Sequence, residues 1–107
     1  MKARRLMIAS EVEHDIADIA TYLAGFSIEV AFRFQSQAHE SIDFIKHNPT
    51  FGSPKQFRAK QLAGFRTWWI KDFKRYLILY HVSDNAIKVV AVTHGSKHLP
   101  RLLKKRV

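Results

Sequence analysis

The chain has 107 residues, 47% of them hydrophobic and 25% charged, with 18 Lys and Arg against nine Asp and Glu and so a formal charge of +9. That length and balance predict a single globular domain over residues 1–107 with a core of its own, and the absence of cysteine excludes a disulfide framework, thiol catalysis and the usual structural zinc sites. The longest uncharged apolar run, Tyr76 to Tyr80, is far short of the roughly 20 residues of a membrane span, and Leu6 to Ala9 is too short for a signal-peptide core, so a cytoplasmic protein without membrane contact is expected.

In chain order, Arg5 to Ala9 reads as a short opening strand. Ser10-Glu11-Val12-Glu13 then has the Ser-x-x-Glu form of a capping box, and Val12, Ile16, Ile19 and Leu23 recur at helical spacing until the helix ends near Gly25. Ser27 is placed to cap a second helix, whose stripe of Val30, Phe34, Ala38, Ile42 (or Ser41) and Ile45 runs until His47-Asn48-Pro49 stops it. The short link makes the two an antiparallel hairpin. From Leu62 the pattern becomes extended, and three strands are expected: Phe65 to Ile70, Arg75 to Val82, and Ile87 to Thr93. The Ser83-Asp84-Asn85 turn pairs the last two strands antiparallel, and the tail from His98 to Leu103 predicts a helical turn beginning near Pro100. The fold class is therefore α+β, with an N-terminal antiparallel helix hairpin packed on a small, mainly antiparallel twisted sheet.

Tyr76-Leu77-Ile78-Leu79-Tyr80 is apolar on both faces, although a sheet covered by helices on one side should alternate. Two covers for the second face stay open: the chain's own tail through Leu99, Leu102 and Leu103, or a bound partner.

Charge is divided as unevenly as hydropathy. Residues 1–53 carry five Lys and Arg and seven Asp and Glu, whereas residues 54–107 carry thirteen and two. Such a field favours an anionic partner such as nucleic acid, a nucleoprotein or an acidic protein segment. The six histidines, His14, His39, His47, His81, His94 and His98, form no metal-ligand pattern. His94 and His98 are four apart, but Gly95 intervenes and no carboxylate follows Asp84, so neither a metal nor another cofactor is expected. Glu11, Glu13, Asp15 and Asp18 crowd one helix as a solvated face, and the four glycines are scattered singly, without a phosphate-cradling loop. The remaining chemistry is cationic: Arg66, Lys71, Lys74, Arg75, Lys88, Lys97 and Arg101, interleaved with strand aromatics. Such a set suits phosphate neutralisation and base stacking, while Trp68, Phe73 and Tyr80 individually are expected to pack in the core.

Six segments in order carry a resemblance: Asp15-Ile16-Ala17-Asp18-Ile19 with Tyr22-Leu23; Phe26 to Ala31 with Arg33-Phe34; Asn48-Pro49-x-Phe51-Gly52; Leu62-Ala63-Gly64-Phe65-Arg66-x-Trp68; Phe73 to Tyr80; and Val92 to Leu99. Together they resemble the ParE/RelE superfamily of toxins from type II toxin–antitoxin pairs, and its ParE branch in particular. The resemblance implies a toxin neutralised by a cognate antitoxin, in a complex that binds operator DNA through the antitoxin. It also implies DNA gyrase as the target, with ribosome-dependent messenger RNA cleavage as the alternative. Where the nuclease branch carries a strand arginine this chain has Leu77, with Arg75 two positions away; Lys97 stands for a second arginine, and Leu103 for the tail tyrosine that would move a proton. The gyrase-poisoning type is therefore expected, without catalysis. Its target-binding set would be Arg66, Lys71, Arg75, Lys97, Arg101 and Lys104, and its antitoxin contacts Tyr76, Leu77, Leu79, Leu99 and Leu102. A ribonuclease would instead use Arg66, Arg75 and Lys97, with His94 or His98.

Overall fold

The computed structural model describes residues 4–107. Its elements follow the hydropathy pattern: β1 (Arg5–Ile8), α1 (Glu11–Ala24), α2 (Ile28–His47), β2 (Ser53–Pro54), a 3-10 turn (Lys60–Leu62), β3 (Phe65–Ile70), β4 (Phe73–Val82), β5 (Ala86–His94) and α3 (Leu99–Arg106). The five strands lie in the order β1-β5-β4-β3-β2, with β1 parallel to β5 and the other neighbours antiparallel. Among the described residues, no helix is long and apolar enough to cross a membrane.

The helix stripes explain the first layer. Val12, Ile16 and Ala20 of α1 and Phe34, Ala38, Ile42 and Ile45 of α2 pack on Ile70, Ile78, Tyr80, Ile87, Val89 and Val92 of the sheet. Ser27 caps α2 as expected, its hydroxyl accepting from the Val30 N–H at 3.3 Å. The Ser10–Glu13 box does not form. Ser10 already has helical backbone angles and its hydroxyl donates to Glu11, while Glu13 meets His39 of α2 at 3.2 Å. The helix pair thus takes the carboxylate that the local pattern assigned to a cap.

The second face of β4 is covered from within. Leu77 and Leu79 are buried with Leu62, Phe65, Val90, Ala91 and Leu103, and Phe57, Ala59, Leu99 and Leu102 pack around them. Of the two open covers, the chain's own tail is the one present, extended by residues 57–62, for which periodicity gave no sign. The tail forms two full helical turns rather than one, and the His98 ring caps it by accepting from the Arg101 N–H at 3.2 Å.

β1 pairs with β5 only as far as Val89. Beyond it, side chains satisfy the open strand edge. Asp15 accepts the Val92 N–H at 3.0 Å, and Arg106 donates to the Val90 carbonyl at 3.1 Å. Arg106 also forks onto both oxygens of Asp15, a bidentate pair that fastens α3 to α1 and holds the guanidinium still further above its already high range.

Candidate functional site

At the end of the sheet where β4 begins and β5 ends, the helix hairpin stands away from the strands and leaves an open groove of about 790 Å³. Tyr22, Leu23 and Phe26 form its helical wall; Phe73, Lys74, Arg75 and Tyr76 form its strand wall, and His94 closes the end. Tyr22 and Phe26 are 63% and 77% exposed, which sets them apart from core aromatics. Their rings meet edge to face at 5.4 Å, as the i, i+4 spacing allows. On the opposite wall Tyr76 touches both Phe34 and His94 edge to face at 5.3 Å, and Arg33 lies over the Phe73 ring at 5.6 Å. Burial pushes the Tyr76 phenol up from its ordinary range.

The β3–β4 connection shapes this end. The strand register slips between Trp69 and Ile70, Asp72 adopts a left-handed backbone with φ 69°, and its carboxylate accepts from Gln37 of α2 at 2.8 Å. Lys74, Arg75 and His94 line the groove; Lys97 follows β5 at this end, and Lys71, in the β3–β4 turn, lines a separate hollow with Glu40, Ser41 and Phe44 of α2 and with Trp68 and Trp69. Among the described residues, the one Lys or Arg in an ion pair is Arg106; Asp72 also lines the groove but is bonded to Gln37, and none of these cations forms a close ion pair.

The expected target-binding set is divided by the sheet. Arg66 is opposite Tyr80 in the ladder, on the helix-facing side, and its guanidinium donates to the carbonyls of Thr50 and Gly52 at 3.2 and 2.7 Å. Arg75 alternates with Leu77 and Leu79 onto the other face, five positions further along β4 and so roughly 16 Å along the strand. Arg66, Arg75 and Lys97 are therefore not brought together. Arg101 and Lys104 are on the exposed side of α3, while Leu103 of the same helix is fully buried. Lys71, Arg75 and Lys97 belong to the same end of the sheet, whereas Lys104 lines a hollow with Gln56, Phe57 and Leu62.

The expected antitoxin contacts are divided too. Leu77 and Leu79 have 3% and 0% exposure beneath α3 and have no surface for a partner, because the tail already occupies their face. Tyr76, Leu99 and Leu102 keep part of theirs. Sequence reasoning passed over Tyr22 and Phe26 as members of a site. The available signal was their position outside the stripe Val12-Ile16-Ile19-Leu23, where an aromatic side chain has no core to enter. Among the described residues, no group of three His, Asp or Glu side chains could hold a metal ion.

Comparison with known proteins follows this geometry. Residues 6–99 match the family model described as the ParE toxin of the type II toxin–antitoxin system, parDE. A solved structure described as the chromosomal ParDE TA system from P. aeruginosa superposes with a TM-score of 0.68 at 14% identity, covering 86% of this chain and 96% of that one, a likeness of fold. The curated proteins contain no match.

Proposed function

Because the chain belongs to the ParE toxin family of type II toxin–antitoxin systems, for which a cognate antitoxin is implied, we propose that it is a binding poison of DNA gyrase that holds the enzyme on cleaved DNA. The observation that carries this reading is the separation of Arg66 from Arg75 on opposite faces of the sheet, together with the burial of Leu103. Phosphodiester cleavage without metal needs cations converging on the phosphorane and a group that moves a proton, and neither condition is met at those positions. Lys71, Arg75 and Lys97 at one end of the sheet, with Arg101 and Lys104 exposed on α3, supply what a poison needs, a strong field for an anionic nucleoprotein.

The antitoxin takes the groove. An amphipathic segment would lay apolar side chains between Tyr22, Phe26, Phe73 and Tyr76 and place carboxylates beside Arg33, Lys74 and Arg75. Neutralisation then follows from covering Arg75 and masking its neighbours, and the DNA contacts of the pair at its operator fall to the antitoxin.

A cleavage assay tests the target: purified toxin, gyrase, supercoiled plasmid and ATP, with linear DNA scored after protease and detergent. Linear product that antitoxin suppresses is the expected result. Its absence with toxin that arrests growth, accompanied by cuts in translated messages, moves the reading to the ribosome. Charge reversal at Arg75 and Lys97 together is expected to abolish linear product while antitoxin binding stays measurable, and a fully potent double variant refutes this choice of face.

A further inference from the structure

At the opposite end of the sheet, where β3 begins and β4 ends, a second cavity of about 610 Å³ is lined by Arg4, Lys55, Gln56, Phe57, Gly64 and Arg66, among others, and by no carboxylate. Its volume lies within the range of small-molecule sites. Among the described residues, its two arginines and Arg106 are the Lys and Arg side chains held by hydrogen bonds. Arg4 donates through Nε to the Ser83 carbonyl at 2.8 Å, and Arg66 donates through one terminal nitrogen to Thr50 and Gly52. Backbone carbonyls fix both guanidiniums without neutralising them. Arg106 is also held, but by Asp15, which cancels its charge. A guanidinium has five N–H donors, so Arg66 keeps Nε and its second terminal nitrogen, and Arg4 keeps both terminal nitrogens, for an external acceptor. Fixed donors lose little rotamer freedom on binding, which is what distinguishes a built anion site from a solvated basic face.

The walls narrow the ligand further. Phe57 is half-buried, one side packed on Leu62 and its neighbours and the other open to the cavity, and the exposed Gln56 amide lies next to it. Gly64 enters with φ +86°, and a Cβ there would come within 2.7 Å of the His81 ring, so bare backbone forms that part of the lining. Two held guanidiniums and an ammonium match the charge of a phosphomonoester better than that of a single carboxylate, and an aromatic face beside an amide suits a base. We propose that this cavity binds a 5′-phosphorylated nucleotide, its phosphate between Arg4, Lys55 and Arg66 and its base against Phe57 and Gln56. The site shares no residue with the groove or with Arg75 and Lys97, the pair reversed in the gyrase test, so the two readings fail separately.

The test is an amide NMR titration of the full chain with inorganic phosphate, adenosine, AMP, and one oligodeoxynucleotide with and without a 5′-phosphate. AMP is expected to shift the amides of Gln56, Phe57 and Gly64 and to bind at least tenfold more tightly than adenosine. Lys55→Gln and Arg4→Gln are each expected to weaken AMP roughly tenfold without changing the melting temperature; Arg66 is left intact because it also holds the 50–52 loop. If the phosphorylated oligonucleotide outcompetes AMP, a strand end is the natural source, and if AMP is at least as tight, a free nucleotide is. Adenosine binding as well as AMP, shifts confined to α3 and the Lys71–Arg75 turn, or AMP affinity within twofold of the parent in both variants would each overturn the proposal.

Discussion

Replacing Asp15 by Ala tests the account of how the tail is held. The carboxylate takes three hydrogen bonds, from Val92 N–H and from two nitrogens of Arg106, and the Asp15 and Arg106 side chains are 13% and 17% exposed, so the pair is largely removed from solvent screening. Breaking a buried pair by deleting one partner costs about 3–5 kcal/mol, since the remaining charge is left unpaired. Arg106 reaches some water and keeps its bond to the Val90 carbonyl, which places the expectation at the low end, about 3 kcal/mol. For a domain of this size that corresponds to a fall in melting temperature of roughly 12–24 °C. Arg106→Leu should cost less, because Asp15 keeps the Val92 N–H, and the double variant should show a coupling of at least about 1.5 kcal/mol in denaturant titrations. Hydrogen exchange at the Val92 amide should accelerate in Asp15→Ala. A cost under about 1 kcal/mol, with coupling under about 0.5, would show that the pair behaves as a solvated surface bridge and that α3 is held by its leucines alone.

Tyr80→Phe removes a hydroxyl that accepts from Gly52 N–H at 3.0 Å and donates to the Pro49 carbonyl at 2.8 Å, and should cost about 1–3 kcal/mol in chemical denaturation. Burial raises the Tyr80 phenol above its ordinary value, so its contribution is complete below about pH 10 and is lost as pH rises towards the folded-state value; the alkaline fall in stability should be shallower in Tyr80→Phe. Gly52→Ala would put a Cβ 2.2 Å from the same hydroxyl and 2.8 Å from the Thr67 carbonyl, and a drop in melting temperature at least as large as that of Tyr80→Phe is expected. The pair Tyr22→Ala and Phe26→Ala should leave the melting temperature within a few degrees, both side chains being exposed, yet weaken antitoxin binding more than tenfold by calorimetry. Unchanged affinity would remove the groove from the interface.

The helix hairpin and the three long strands could be read from the chain because each helix buries one stripe and each strand is a run of apolar and aromatic residues, and both are local patterns. β2 and the 3-10 turn could not: residues 53–62 have no period, and their place is set by Arg66 and Tyr80 bonding the 49–52 loop. The Ser10 box failed for the same kind of reason, since its Glu13 found a partner 26 residues away. Among the site residues, Lys71, Arg75 and Lys97 fall at one end of the sheet because the β3–β4 turn and the end of β5 lie there. Separating Arg66 from them needed the register, in which the slip between Trp69 and Ile70 changes the β3–β4 pairing by three residues and that between Leu79 and Tyr80 changes the β4–β5 pairing by one. Tyr22 and Phe26 gain meaning only beside Phe73 and Tyr76, half the chain away.

The pairing of β1 with β5 joins Arg5–Ile8 to Ala86–Val89. On a ribosome that adds about 5–20 residues per second, the hairpin of α1 and α2 emerges well before the strands it packs on. Its stripe then has no sheet to cover, and the edge strand has no neighbour until nearly the whole chain is out. Long-range pairing of this kind folds slowly. The groove is composed from both halves, Tyr22 and Phe26 from the first, Phe73, Tyr76 and His94 from the second, so it comes into being only with completion of the sheet. A nascent chain accordingly offers neither the surface that would poison nor the surface that would be neutralised, and both are born in the same step.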